Sequence, residues 1–356
     1  MVSLYKPYMP DNLPDLNTIL HSGNLSYGVW GKKFEEKLRT YIGVNHLVTT
    51  NTYSSAIQVA LTTLGLKSGD EVIVSPMSCL ASNQPLITFG LKVIWADIDP
   101  LTGTLHPDEV KKKITSKTKL IFHNHFCGYL GYIDEINDIG RTHGVPVIDD
   151  CIEAFGSEYK SKISGNVGTD ITLFSFQTVR LPNTIDGGAI VFNNEVLYEK
   201  ALLVRDFGIQ RSVFRDKNKE ISPKCDISLL GYGATMSEIN SYIGCMQMDE
   251  IEKLLSVQRE NALKWNTWLE TNNKTVYRLN NRKEVLPNYW VYGFLSENKM
   301  EDMLWFREKG YYASGVHLNN NNYSLFGNKE YLGGVEEFNS KILAIPCGWW
   351  IGLNNL

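Results

Sequence analysis

The stretch from His46 to Pro76, HLVTTNTYSSAIQVALTTLGLKSGDEVIVSP, carries the pattern from which the fold is read. His46–Thr50 reads as a strand, and Ser54–Leu64 sets Ile57, Ala60, Leu61 and Leu64 on one helical face. Gly69-Asp70 then turns the chain into a second strand-like run, Glu71–Ser75. Outward from this unit the rhythm continues through Lys92–Asp97, Lys119–His125, Pro146–Asp150, Ile171–Phe176 and Ala189–Asn193. Strands alternating with helices predict a largely parallel sheet covered on both faces, because parallel neighbours need crossover connections. Residues 1–248 are read as this large α/β domain. Residues 249–356, opening on a helical pattern at Ile251–Thr271, are read as a smaller α+β domain, with Asn319–Asn322 as a polar loop.

The composition narrows the function classes. With 356 residues the chain exceeds what one hydrophobic core usually organises. Its 35 Lys and Arg against 39 Asp and Glu give a net charge of −4 with no basic block, which argues against nucleic acid or an anionic membrane as the main partner. Met1–Leu16 has no signal-peptide pattern, and no later run reaches about 18 apolar residues, so a cytoplasmic location is expected. Cys79, Cys127, Cys151, Cys225, Cys245 and Cys347 form no CxxC pair and no zinc spacing. They read as reduced thiols, and no metal is expected.

Ligands in such sheets bind beyond the carboxyl ends of the strands. Three segments fall there: Asn51-Thr52-Tyr53-Ser54-Ser55-Ala56; Asp149-Asp150-Cys151-Ile152-Glu153-Ala154-Phe155-Gly156; and Ser175-Phe176-Gln177-Thr178-Val179-Arg180, followed by Asp186-Gly187-Gly188. Their order and spacing, with Gly23–Glu36, Val93–Pro100 and Pro346–Trp350, resemble the DegT/StrS family. Those are pyridoxal-phosphate (PLP) enzymes that aminate nucleotide-linked keto sugars. The resemblance implies a type I aminotransferase fold, a large domain with a mostly parallel mixed sheet plus a small α+β domain, normally as a homodimer with sites at the subunit interface. It also implies a nucleotide-linked sugar as substrate, in deoxysugar or surface-polysaccharide synthesis.

By the resemblance, Asp150 matches the carboxylate that keeps the cofactor ring nitrogen protonated. Taken alone it would read as a helix cap. Glu153 falls one turn later and either lines the cofactor site or faces solvent. Ser54 and Ser55 match the phosphate-binding helix start, with a helix cap as the plain alternative for Ser54. Ser175, Gln177 and Cys79 match further cofactor positions, although Cys79 reads equally as a small buried residue.

Four positions depart from the pattern. Tyr53 stands where the family has Gly, so it either crowds the phosphate or adds a hydroxyl. Gly233 and Thr235 replace the polar pair of a Gly-x-Asn-x-Arg segment. Arg180 falls on the Schiff-base lysine position, five residues after Ser175 and seven before Gly187. A guanidinium stays protonated and offers no free amine, so no internal Schiff base and no ordinary transamination are expected, and PLP or pyridoxamine phosphate (PMP) binding is itself in question. The alternatives are a lysine-independent PMP-type dehydratase, or a non-catalytic homologue that binds a nucleotide sugar or pairs with an active relative. His123 and His125 share a strand face and read as packing or site-lining residues. Arg205, Arg211 and Arg215 form a candidate diphosphate cluster, His317 is a substrate-loop candidate, and Trp349-Trp350 reads as packing.

Overall fold

The structure is a computed structural model and describes residues 1–272, 276–327 and 329–351. Among the described residues thirteen strands form in chain order: β1 (Leu47–Thr50), β2 (Glu71–Val74), β3 (Lys92–Trp95), β4 (Thr118–Asn124), β5 (Val147–Cys151), β6 (Glu158–Tyr159), β7 (Lys162–Ile163), β8 (Ile171–Ser175), β9 (Gly188–Phe192), β10 (Tyr277–Arg278), β11 (Val285–Leu286), β12 (Tyr292–Leu295) and β13 (Ile342–Ile345). The seven runs read from the sequence all enter one seven-stranded sheet, ordered β1-β9-β8-β5-β4-β2-β3. Its pairs are parallel except those made by β9, which lies antiparallel between β1 and β8. A second sheet, β10-β12-β13, lies in the C-terminal part, and a small third one joins β11, β6 and β7.

Helices cover the large sheet for reasons visible in their ends. The helix Tyr53–Leu64 is capped by Thr52, whose hydroxyl accepts from Ser55 N, and stops at Gly65 in the left-handed conformation (φ +81°). The cap is therefore Thr52 and not Ser54. The helix buries Ala56, Ile57, Val59, Ala60 and Leu61 against β8, β9 and β1. On the other face, the helix Val29–Ile42 has its N-terminal N–H groups held from outside. The Glu238 carboxylate accepts from Gly28 N (2.9 Å), Trp30 N (3.1 Å) and Gly31 N (3.0 Å).

The helix expected from Ile251 starts earlier, at Glu238, and runs unbroken to Thr271. Ser237 caps it through Asn240 N, and the opening turns are buried against Val29–Ile42. The asparagine run is a second correction. Asn319, Asn320 and Asn321 are buried, and Asn320–Asn322 form a one-turn 3-10 segment, so only Asn322 of the run faces solvent. Asn320 N donates to Pro76 O (2.7 Å) and its amide to Ser78 O (2.9 Å), tying this segment to the loop after β2. Asn319 and Asn321 tolerate such burial because both ends of each amide find partners, whereas Asn320 is held through its donors and its amide oxygen is left unpartnered.

Candidate functional site

The sheet register sorts the site. In the parallel pair β4–β5, His123 stands beside Asp149 and Asn124 beside Asp150. Successive side chains point to opposite faces, so Asp149 and Asp150 enter different environments. Asp149 faces the side covered by the helix Ile133–His143. There it accepts from His123 Nδ1 (3.0 Å) and from the Thr169 hydroxyl (2.5 Å), with His125 Nε2 at 3.5 Å. Burial alone would push this carboxyl up, but the two imidazoles hold it well below the usual range. The His123 pKa is shifted down, chiefly by its own burial.

His123, His125 and Asp149 sit close enough to suggest a cation site. The tautomer argues against one. His125 Nδ1 accepts from Gly131 N (3.0 Å), so the ring proton is on Nε2 and no lone pair is left for a metal.

Asp150 faces the helix Tyr53–Leu64. Its carboxylate accepts from the Tyr53 hydroxyl, the Asn124 amide and Ile152 N (3.0 Å), with Ser82 beside it. The Asn124 amide also donates to Ser78 Oγ (3.0 Å). Asp150 is fully buried, and this desolvation raises its carboxyl despite the donors. The Tyr53 phenol is buried to match, and burial followed by the nearby Asp150 charge drives its pKa well above normal.

A second cluster adjoins this one. Glu153, read as either site-lining or solvated, is buried. Its carboxylate accepts from Cys127 N (2.8 Å), His317 Nε2 (2.9 Å) and the Arg180 guanidinium (3.3 Å). Burial raises its pKa, but His317, Arg180 and the Cys127 N–H together bring it below the usual carboxylate value. Arg180 is buried as well, its guanidinium 4.4 Å above the Trp290 ring, on which Tyr5 stacks at 4.4 Å. Cys79 and Cys127 border the same cluster. Cys127 is left-handed (φ +52°), and the next residue, Gly128, allows close packing: a Cβ there would stand 2.0 Å from Asn288 Oδ1. Cys127, Glu153 and His317 also stand close enough to consider a cation, but the three donors take up the carboxylate and one of them is already positive.

The remaining candidates are placed apart. Ser175 is buried at the end of β8, whereas Gln177 is exposed and its amide oxygen accepts from Val179 N in its own loop (3.2 Å). Ser54 is exposed and Ser55 half-buried at the helix start. The arginine cluster does not converge. Arg205 is buried against Glu35 (2.5 Å), Arg211 pairs with Asp206 (2.5 Å), and Arg215 donates to Lys219 O (2.6 Å). Trp349 meets Tyr8 edge-on and Trp350 donates to Ser3 O (2.9 Å), so both pack on the N-terminal segment. Tyr5, Trp290, Cys127 and Asn124 belong to the two clusters but carry no signal in the sequence. They arrive from distant segments.

The two lowered carboxyls carry an acid-stability prediction. Asp149 and Glu153 have folded pKa values below their unfolded ones, so their contribution is full above the unfolded range and is lost as pH falls through the folded values. Urea midpoints should fall from about pH 4 downward, and Asp149→Asn should flatten that dependence. A midpoint that holds level between pH 6 and pH 2.5 would contradict the assignment.

The comparisons with known proteins agree on the lineage. Residues 9–333 match the DegT/DnrJ/EryC1/StrS aminotransferase family. A GDP-perosamine synthase of Escherichia coli O157:H7 is 31% identical over 278 residues, covering 78% of this chain and 72% of the relative. The spore coat polysaccharide biosynthesis protein SpsC of Bacillus subtilis is 27% identical, covering 75% and 70%. Among solved structures, the sugar aminotransferase CalS13 of Micromonospora echinospora superposes with a TM-score of 0.92 at 24% identity, covering 99% of this chain and 96% of that one. Streptococcus pneumoniae Spr1654, solved in PLP and PMP forms, superposes at 0.87 and 0.88 with 20% identity. An α/β chain with this sheet, whose sequence matches over residues 9–333, belongs to the DegT/DnrJ/EryC1/StrS aminotransferase family.

Proposed function

We propose that this chain is a nucleotide-sugar-binding member of its family that serves polysaccharide or deoxysugar synthesis without itself transaminating. The observation that carries the reading is the state of Arg180. It stands where the family pattern places the Schiff-base lysine, is always charged, and is held in a buried ion pair with Glu153 above Trp290. A side chain so fixed neither attacks a carbonyl nor shuttles a proton. The sugar-nucleotide part of the reading is supported by the relatives' named roles in perosamine and spore-coat polysaccharide synthesis.

The working unit we propose is a cytoplasmic homodimer. Exposed apolar side chains gather on one excursion of the chain, with Phe207, Val213, Ile221, Ile227 and Leu230 all about half exposed or more. No helix among the described residues is long and apolar enough to cross a membrane.

The test is direct. Titration calorimetry with a panel of nucleoside-diphosphate sugars should show binding, while incubation with a keto-sugar nucleotide and amino-acid donors should give no amino sugar. Amino-sugar turnover would refute the non-transaminating reading; failure to bind any of the panel would refute the sugar-nucleotide reading.

A further inference from the structure

The place of a pyridine cofactor is bounded by two points in this fold. One is the start of the helix Tyr53–Leu64, the phosphate end by family resemblance. The other is Asp150, the ring-nitrogen end. In this chain Tyr53 is the first residue of that helix, and its ring runs from the helix start to the Asp150 carboxylate, which its hydroxyl meets. A ring already fills the span.

The donor count gives the same answer. Asp150 takes the Tyr53 hydroxyl and Ile152 N on one oxygen and the Asn124 amide on the other. Asn124 is fixed by Ser78, and the Ser78 carbonyl is held by Asn320. A protonated ring nitrogen arriving here would have to break a buried bond and expel a phenol that is 5% exposed. The residues present do not fit PLP or PMP.

We infer that Tyr53 is an intramolecular replacement for the cofactor ring: it supplies the donor Asp150 requires and completes the fold without a pyridine cofactor. This goes beyond the reading above, which concerns Arg180 and would stand with a small residue at position 53. Arg180 would deny a covalent bond to the cofactor, whereas Tyr53 denies it space.

The probe is PMP, which needs no lysine, with inorganic phosphate as control. The full-length wild-type protein should show no Tm shift with PMP and retain none after desalting. Tyr53→Ala opens the span, and PMP should then raise its Tm by several degrees at concentrations well above Kd, while phosphate alone does not. Should Tyr53→Ala fold poorly, PMP added during refolding should restore the folded yield. Arg180→Lys alone should take up no PLP, and the Tyr53→Ala/Arg180→Lys pair should retain it through borohydride reduction. Stoichiometric PMP on the wild-type protein, PLP retained by Arg180→Lys alone, a phosphate effect equal to that of PMP, or no PMP effect on Tyr53→Ala in either assay would each overturn the inference. PLP retained by Arg180→Lys alone would leave the Arg180 reading standing, so the two fail separately.

Discussion

Glu153→Ala should destabilise the protein by about 3–5 kcal/mol, read as a large fall in the urea midpoint with an unchanged slope. The carboxylate is buried among three donors, Cys127 N–H, His317 and Arg180. Its removal strands a buried guanidinium whose Nε has no partner in the fold, and it leaves the Cys127 N–H unbonded. The penalty comes from the uncompensated charge more than from the lost contact. For that reason the double change Glu153→Gln/Arg180→Met should recover much of the loss, since methionine keeps contact with Trp290 without a charge. A double variant as unstable as the sum of its singles would mean that Glu153 and Arg180 are not coupled. The same experiment bears on function, because it shows whether Arg180 is held for the sake of the fold.

The second large effect lies on the opposite side of the sheet, at Glu35. This residue projects from the helix Val29–Ile42 and accepts from Thr49 N (2.9 Å), Thr49 Oγ1 (3.0 Å), the Tyr27 hydroxyl (2.7 Å) and Arg205. Arg205 in turn donates to Thr49 O (2.9 Å) and lies 4.5 Å over the Tyr27 ring. The pair pins a helix to the edge strand β1, and both side chains are about 5% exposed. Glu35→Ala should also cost about 3–5 kcal/mol. Arg205→Ala should destabilise without weakening nucleotide-sugar binding selectively, since its donors face the fold. A variant that folds normally but loses nucleotide affinity would restore Arg205 to the diphosphate-binding role suggested by its place in the sequence.

How far the sequence could be read differs by feature. All seven strands of the main sheet were legible, because short apolar runs between turn residues leave a local imprint. The start of the long helix was not. Glu238 is used to cap another helix more than two hundred residues earlier in the chain, a tertiary role with no periodic trace. The asparagine run misled for the same reason: its polarity indicates solvent, while its burial depends on partners at Pro76 and Ser78. Within the candidate site, Asp150, Glu153 and Arg180 were marked by the family resemblance, with a helix cap and a solvated position as the plain alternatives for the two acids, and the fold buries all three. Tyr53 was marked as out of pattern, with crowding and an added hydroxyl as its alternatives, and its hydroxyl lies on Asp150.

By itself, then, the sequence determined the α/β class, the strand order along the chain, the family resemblance and the absence of a lysine at position 180. These follow from residue type and spacing, which act over a few neighbours. Only the tertiary structure decided what Arg180 and Asp150 are bonded to. Tyr5, Trp290 and His317 reach Arg180 and Glu153 from remote segments, and the pleat of two adjacent strands sends Asp149 and Asp150 to opposite faces. Partner choice for a buried charge is settled by geometry across the whole chain, because desolvation makes an unpaired group too costly to keep.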